Sequence, residues 1–307
     1  MTDSDLIFLV SQPRAGSTRL QRMLGGHSAI HTATEPWLML QPVSGMDMRN
    51  ANDDFALGGW SGLARDAFLE TITNKAVLDE AIAKQGVHVY SAALEGTGKT
   101  MFLDKTPRYY SILPQLGRLF PNARFVILYR NPLSVFASII RTWVQDDWGR
   151  LPSYRFDLLD GPRDLVSGAQ HLGNRAKVVR YEDLAANADQ SLSDVCSFLD
   201  IACEPSMADK GEGMEFPFGD PGVGSLETTV DQSLRWLDDI KRPQVWRLLS
   251  DYVSTLDVND LKAMGYDATE LRRTLCQNKP VYGACAMTHS LQSLLAPNAI
   301  AKDEVAS

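Results

Sequence analysis

Five consecutive apolar residues, Leu6-Ile7-Phe8-Leu9-Val10, lead through Pro13-Arg14-Ala15-Gly16-Ser17-Thr18 into an amphipathic stretch that ends at Gly25. Such a run suits a strand buried on both faces, because the strands of a parallel sheet are covered by helices on either side. A strand that turns through glycine into a helix leaves the first helical N–H groups unpaired and points the positive end of the helix dipole at the turn. The turn is a candidate anion site, with Arg14, Ser17 and Thr18 adding side-chain donors to the backbone of Ala15 and Gly16. An ordinary strand-to-helix turn capped by Ser17 is the other reading open to this segment.

Further short apolar runs stand at Phe125 to Tyr129, Met101-Phe102-Leu103 and Val178-Val179. Helix-like stretches lie between and around them: Ser17 to Gly25, Ala64 to Lys84, Tyr109 to Leu119, Leu133 to Val144 and Gln190 to Leu199. Strands alternating with helices predict an α/β fold with a parallel sheet. The 307 residues suffice for one large core, and a single domain over 1–307 is expected. Segments from Pro42 to Gly62 and from Phe216 to Gly224 are rich in Gly, Asp and Pro and read as loops or lids. The pattern fades beyond Gly265-Tyr266, so 267–307 reads as a C-terminal extension with a mobile end from Ala296.

Thirty basic residues against 38 acidic ones leave a formal net charge of -8. That balance does not draw the whole molecule to nucleic acid or to an anionic membrane, so an anionic ligand has to be held by a local cluster. The opening apolar run is too short to span a bilayer and has no basic residue before it, which predicts a cytoplasmic protein with no membrane partner. Cys196, Cys203, Cys276 and Cys285 fit no metal-ligand spacing, and no metal site is expected.

Glu95-Gly-Thr-Gly-Lys-Thr100 imitates the end of a G-x-x-x-x-G-K-[ST] nucleotide loop. The first glycine of that pattern is replaced by Ala93, and a helix-like stretch precedes the segment while the strand-like Met101 to Asp104 follows it. Gly96 to Thr100 is therefore expected to be a loop that ends a helix, with Lys99 an exposed side chain.

The second informative segment runs from Arg124 to Trp143. Arg130 closes a buried strand at its carboxyl end, Pro132 suits the first turn of the next helix, and Ser138 lies two turns into it. Ligands of open parallel sheets bind outside the carboxyl ends of the strands, which puts Arg130 beside the anion loop. A strand-closing arginine paired with Asp104 is the alternative.

Together these segments resemble the two signatures with which sulfotransferases bind 3′-phosphoadenosine-5′-phosphosulfate (PAPS), and the resemblance runs over residues 5–266. In that family a Pro-Arg/Lys-x-Gly-[ST]-[ST] loop holds the 5′-phosphosulfate, matching Pro13 to Thr18. An arginine followed eight positions later by serine holds the 3′-phosphate, matching Arg130 and Ser138. The resemblance implies a P-loop NTPase-like fold with a helical or loop lid, PAPS as donor, PAP as product and no metal. In protein-tyrosine sulfotransferases and related bacterial enzymes a glutamate 21 positions after the loop arginine is the proposed base, which falls on Glu35. A lysine in an Asn/Asp-Lys-x-Pro motif, 25 positions before the 3′-phosphate arginine, falls on Lys105. Tyr181, in Tyr181-Glu-Asp-Leu184, matches the segment that closes the late strand near the cofactor. Glu35-Pro-Trp-Leu and Asp104-Lys-Thr-Pro-Arg-Tyr resemble bacterial members, including sulfotransferase domains of polyketide and olefin biosynthesis.

Some family members use a histidine base, which keeps His31 as a second candidate, whereas His27 beside Gly25-Gly26 reads as a cap. The Arg-Lys-Gly loop of the cytosolic enzymes is absent here. Gly219 to Gly224 and Ser233 to Trp236 stand in that late region, with Ser233 as the candidate cofactor contact. The implied reaction is transfer of a sulfuryl group to a hydroxyl of a small-molecule acceptor, free or carried as a β-hydroxyacyl chain on a carrier protein. Glu35 would take the proton while Arg14, Lys105 and the loop N–H groups stabilise charge. Two rivals remain: a P-loop kinase, which would need the missing glycine and a Mg²⁺-binding hydroxyl, and a noncatalytic nucleotide-binding protein of the same fold.

Overall fold

A computed structural model describes residues 1–33, 35–44, 59–145, 147–207, 233–281 and 291–295. Strands Leu6–Ser11 (β1), Ile30–Thr32 (β2), Met101–Lys105 (β3), Arg124–Tyr129 (β4) and Ala176–Arg180 (β5) form one parallel sheet in the order β2-β3-β1-β4-β5. All of β1 is buried, as a central strand covered on both faces must be. Among the described residues, the α-helices of six or more residues are Ser17–Gly25 (α1), Gly59–Glu70 (α2), Val77–Leu94 (α3), Leu113–Leu119 (α4), Pro132–Ile139 (α5), Gly161–Leu172 (α6), Tyr181–Ala186 (α7), Ala188–Leu199 (α8), Pro243–Val253 (α9), Val258–Ala263 (α10) and Ala268–Gln277 (α11). None among the described residues is long and apolar enough to cross a membrane.

Neighbouring residues of β3 serve opposite faces of the sheet. Phe102 packs on Tyr90 of α3, and the fully buried Asp104 accepts from Tyr90 Oη at 2.6 Å, Thr106 Oγ1 at 2.7 Å and Tyr109 Oη at 3.2 Å. Burial pushes the Asp104 carboxyl up to about 6 against the pull of those donors and of Lys105. Lys105 points the other way, donating to Thr18 Oγ1 of α1 at 3.3 Å. The alternative reading that paired Arg130 with Asp104 is not the one the structure has: Asp104 is engaged on the α3 face.

Several elements depart from the sequence reading. The stretch Ala64 to Lys84 is two helices, because Lys75 Nζ donates to the terminal carbonyls of Leu69 and Glu70 while Asn74 Oδ1 accepts the N–H of Ala76. β2 was not anticipated, having only Ile30 as an apolar residue. The helix from Leu133 stays α-helical to Ile139 and then widens into a π-turn over Ile140–Val144, closed by Gln145 N–H on the Ile140 carbonyl. α11 buries Leu271 and Leu275, so the segment after Tyr266 begins as packed helix. Phe216 to Gly224, most of Pro42 to Gly62 and the end from Ala296 lie outside the described residues.

Gly96 to Thr100 ends α3 and feeds β3, as the element order required. Lys99, however, is not a free surface side chain. Its ammonium donates to the carbonyls of His27 at 2.8 Å and Ile30 at 2.7 Å, tying the loop to the start of β2. His27 is a buried cross-link: Nδ1 accepts the Ala29 N–H at 3.0 Å, which leaves Nε2 to donate to the Ala202 carbonyl at 2.9 Å.

Candidate active site

The carboxyl ends of all five strands open onto one region. β1 leads into Pro13–Thr18, β2 toward Glu35, β3 ends in Lys105, β4 is followed by Arg130 and β5 by Tyr181. In the loop after β1, the Ala15 N–H returns to the Gln12 carbonyl at 3.2 Å, a turn with proline second and Arg14 at a φ of 67° third. Gly16, at a φ of 95°, is the N-cap of α1 and no side chain caps the helix. Ser17 is thus the first helical residue and not its cap, so no side chain caps the first N–H groups of α1.

Gly16 has a second constraint. A Cβ there would overlap Cε2 and Cδ2 of Tyr181, so the tyrosine ring lies directly on the loop backbone. On that ring sits Arg130, its guanidinium carbon 4.1 Å from the centroid, while its NH1 donates to the Arg14 carbonyl at 2.9 Å. Burial lowers the Arg130 pKa, with Tyr181 and Glu182 opposing. Arg14 turns its side chain toward α5: Nε donates to Ser138 Oγ at 3.2 Å, and the guanidinium stands 5.4 Å over the Trp143 ring. Burial, with Arg130 and Arg141 nearby, lowers Arg14 to about 10. The residues expected at opposite ends of the nucleotide, Arg14 and the Arg130–Ser138 pair, form one interlocked group.

Across from this group, Lys105 Nζ donates to Glu35 Oε1 at 2.8 Å, and the Trp37 indole N–H donates to Glu35 Oε2 at 3.2 Å. Lys105 is only 2% exposed, and burial lowers its pKa while Glu35 opposes the shift. The carboxylate therefore meets two donors; it does not rest on the apolar face of the tryptophan. Trp37 itself is held at a φ of 51°, a costly conformation for a bulky residue. Arg14, Gly16, Ser17, Thr18, Glu35, Trp37, Pro107, Arg108 and Trp143 line a shared cavity of about 170 Å³.

A sequence model of the sulfotransferase family matches residues 5–205. The chain belongs to the sulfotransferase family. It is 33% identical over 215 residues to nodulation protein NoeE of Sinorhizobium fredii (strain NBRC 101917 / NGR234), a match that takes in 63% of this chain and 49% of NoeE, about half of that relative's length. With protein-tyrosine sulfotransferase 2 of Gallus gallus it shares 26% identity over 287 residues, 91% of this chain and 72% of the relative. The sulfotransferase domain from the Synechococcus PCC 7002 olefin synthase has a similar fold, with a TM-score of 0.53 at 24% identity over 75% of this chain and 86% of that one. So has the sulfotransferase domain from the curacin biosynthetic pathway, at 0.51 and 22% over 85% and 97% of the two chains. The single parallel sheet flanked by helices is the P-loop NTPase-like fold expected of a sulfotransferase.

Within this sulfotransferase the sequence-derived residues Arg14 to Thr18, Glu35, Lys105, Arg130, Ser138 and Tyr181 come together, and two others do not join them in the same way. His31 pairs in register with Phe102 and lies against its ring, 5.8 Å between centroids, on the sheet face opposite Lys105. It is not among the residues that line the cavity with Glu35. Ser233 is buried against α5, where its backbone carbonyl accepts from Ser134 Oγ at 3.2 Å, one turn before Ser138. Sequence reasoning missed Arg108 and Trp143. Arg108 grips Asp157 with Nε at 2.9 Å and NH2 at 2.7 Å and lies 5.7 Å over the Trp37 ring. Its signal was its place directly after Asp104-Lys-Thr-Pro107; Trp143 had none, since only the π-turn brings it round.

Proposed function

We propose that this sulfotransferase takes PAPS as donor and transfers the sulfuryl group to a hydroxyl of a small-molecule or natural-product acceptor, with Glu35 as general base. The observation that carries this reading is Glu35, held by the buried Lys105 at 2.8 Å and lining a cavity that Arg14, Gly16, Ser17 and Thr18 also line. Carboxylate and loop thus face one small space, with the Lys105 ammonium directly behind them, in contact with Glu35 and Thr18. The acceptor oxygen bonds to sulfur as the bond from sulfur to the phosphate oxygen breaks, and the hydroxyl proton passes to Glu35. Negative charge left on the phosphate is met by Lys105, Arg14 and the N–H groups at the start of α1, fixed in place before reaction. Arg130 and Ser138 hold the 3′-phosphate, with Tyr181 as the platform beneath Arg130. Trp37, Pro107 and Trp143 give the acceptor side apolar walls, which supports an acceptor with an apolar body, free or tethered to a carrier protein.

The test is a screen of hydroxylated metabolites and carrier-bound β-hydroxyacyl chains with labelled PAPS. Glu35→Gln keeps the shape of the side chain but cannot take the proton, so turnover should fall about 10²–10⁴-fold. PAP affinity should hardly change. A Glu35→Gln enzyme that keeps most of its activity on the true acceptor would remove Glu35 from the role.

A further inference from the structure

Glu182 follows Tyr181 and lines no part of the cavity, yet both of its carboxylate oxygens are engaged. Oε1 accepts the backbone N–H of Asn131 at 3.0 Å, and Oε2 accepts from Tyr266 Oη at 2.6 Å. Asn131 adjoins Arg130 and caps α5, its side chain accepting the Leu133 N–H at 2.9 Å. Tyr266 arrives from far along the chain, just beyond α10. That helix ends in a Schellman turn, with Gly265 at a φ of 86°, its N–H on the Lys262 carbonyl and the Tyr266 N–H on the Leu261 carbonyl. The turn directs the buried tyrosine ring under Arg180, whose guanidinium carbon lies 4.8 Å from the centroid. The missing Cβ of Gly265 leaves room for that approach, since it would stand 3.0 Å from Arg180 Nε. Burial beside Glu182 raises the Tyr266 phenol far above its ordinary range, which keeps it a donor.

From these contacts we infer that Tyr266 and Glu182 are positioning residues for Arg130: the chain Tyr266 Oη–Glu182–Asn131 N–H fixes the turn that carries Arg130 and ties the segment beyond α10 to nucleotide affinity. The inference rests on the reading of Arg130 as a 3′-phosphate ligand. Tyr266→Phe keeps the ring and its packing but deletes the donor, leaving Oε2 without its partner and the carboxylate free to swing from Asn131.

A double-mutant cycle on the full chain, read by calorimetric titration with PAP and with AMP, tests this. Tyr266→Phe should weaken PAP by about threefold to tenfold and leave AMP unchanged, because AMP has no 3′-phosphate. In an Arg130→Ala background the same substitution should add nothing, since the group it positions is gone. Glu182→Gln, whose amide oxygen can still accept from Asn131, should lose less than Glu182→Ala. Additive losses for Tyr266→Phe and Arg130→Ala, or equal losses for PAP and AMP, would overturn the inference while leaving the role of Arg130 standing. If Arg130→Ala leaves PAP affinity unchanged, the reading of Arg130 fails and takes the inference with it.

Discussion

Two glycine-bearing loops in this chain look alike on paper and differ in everything that matters for an anion. Pro13 to Thr18 runs from a strand into a helix, so its N–H groups and the dipole of α1 converge on the carboxyl edge of the sheet. Gly96 to Thr100 runs from a helix into a strand, at the opposite edge. Each has a lysine partner. Lys105 reaches Thr18 and Glu35 across the first loop, whereas Lys99 of the second is used up on the carbonyls of His27 and Ile30. The order of elements, more than the residues in the loop, decides whether glycine and a cation face the carboxyl edge of the sheet or splice one loop to another.

The comparison can be broken most sharply at the lysines. Lys105→Met should cut sulfuryl transfer about 10²–10³-fold in a folded protein, the usual scale for one preorganised charge at a reacting centre. Lys99→Met should leave turnover within about twofold but lower thermal stability by several degrees, since about 1–3 kcal/mol of hydrogen bonding to the β2 turn is lost. A large loss of nucleotide affinity in the Lys99 variant would undo the contrast. The glycines give the next effect. Gly16→Ala drives a methyl into Tyr181 and should weaken PAP tenfold or more, whereas Gly98→Ala meets open space and should cost only about 1 kcal/mol for its left-handed backbone, with affinity intact.

Much of this was legible in the sequence, for physical reasons. Buried parallel strands are continuous apolar runs, which exposed β1 and β4, and the two segments proposed to bind anions follow directly from those strands. β2 was hidden because three residues with one apolar side chain carry no period. The face that His31 serves was hidden because sequence distance does not reveal pleat parity: one residue away, Thr32 shares a face with Leu103, and His31 turns to Phe102. Lys99 looked solvated because its acceptors are backbone carbonyls, which every sequence has. Arg108 and Asp157 meet over a sequence gap that no local pattern spans.

The smallest expected effect sharpens the contrast at the strand the second loop feeds. The pKa of Asp104 in the folded protein, about 6, lies above that of an ordinary carboxyl. The stability it adds is full below the unfolded value of about 4 and is lost as pH rises through the folded value. Urea melts should show the wild type losing stability between about pH 4 and 6 that Asp104→Asn does not lose; parallel profiles would show that Asp104 is not the group titrating.

The π-turn over Ile140–Val144 makes the cavity wall a matter of phase. In an unbroken α-helix each residue advances about 100°, so Ser138 and Trp143 would point about 140° apart and could not both meet Arg14. The wide turn absorbs the misfit, as one extra residue threaded into a helix would. Removing a single residue between the two, of whatever kind, should restore the regular winding and keep the indole about 40° from Ser138, still on the cavity side. A substitution scan of this helix would never find that tolerance, because what is set there is the count of residues and not their identity.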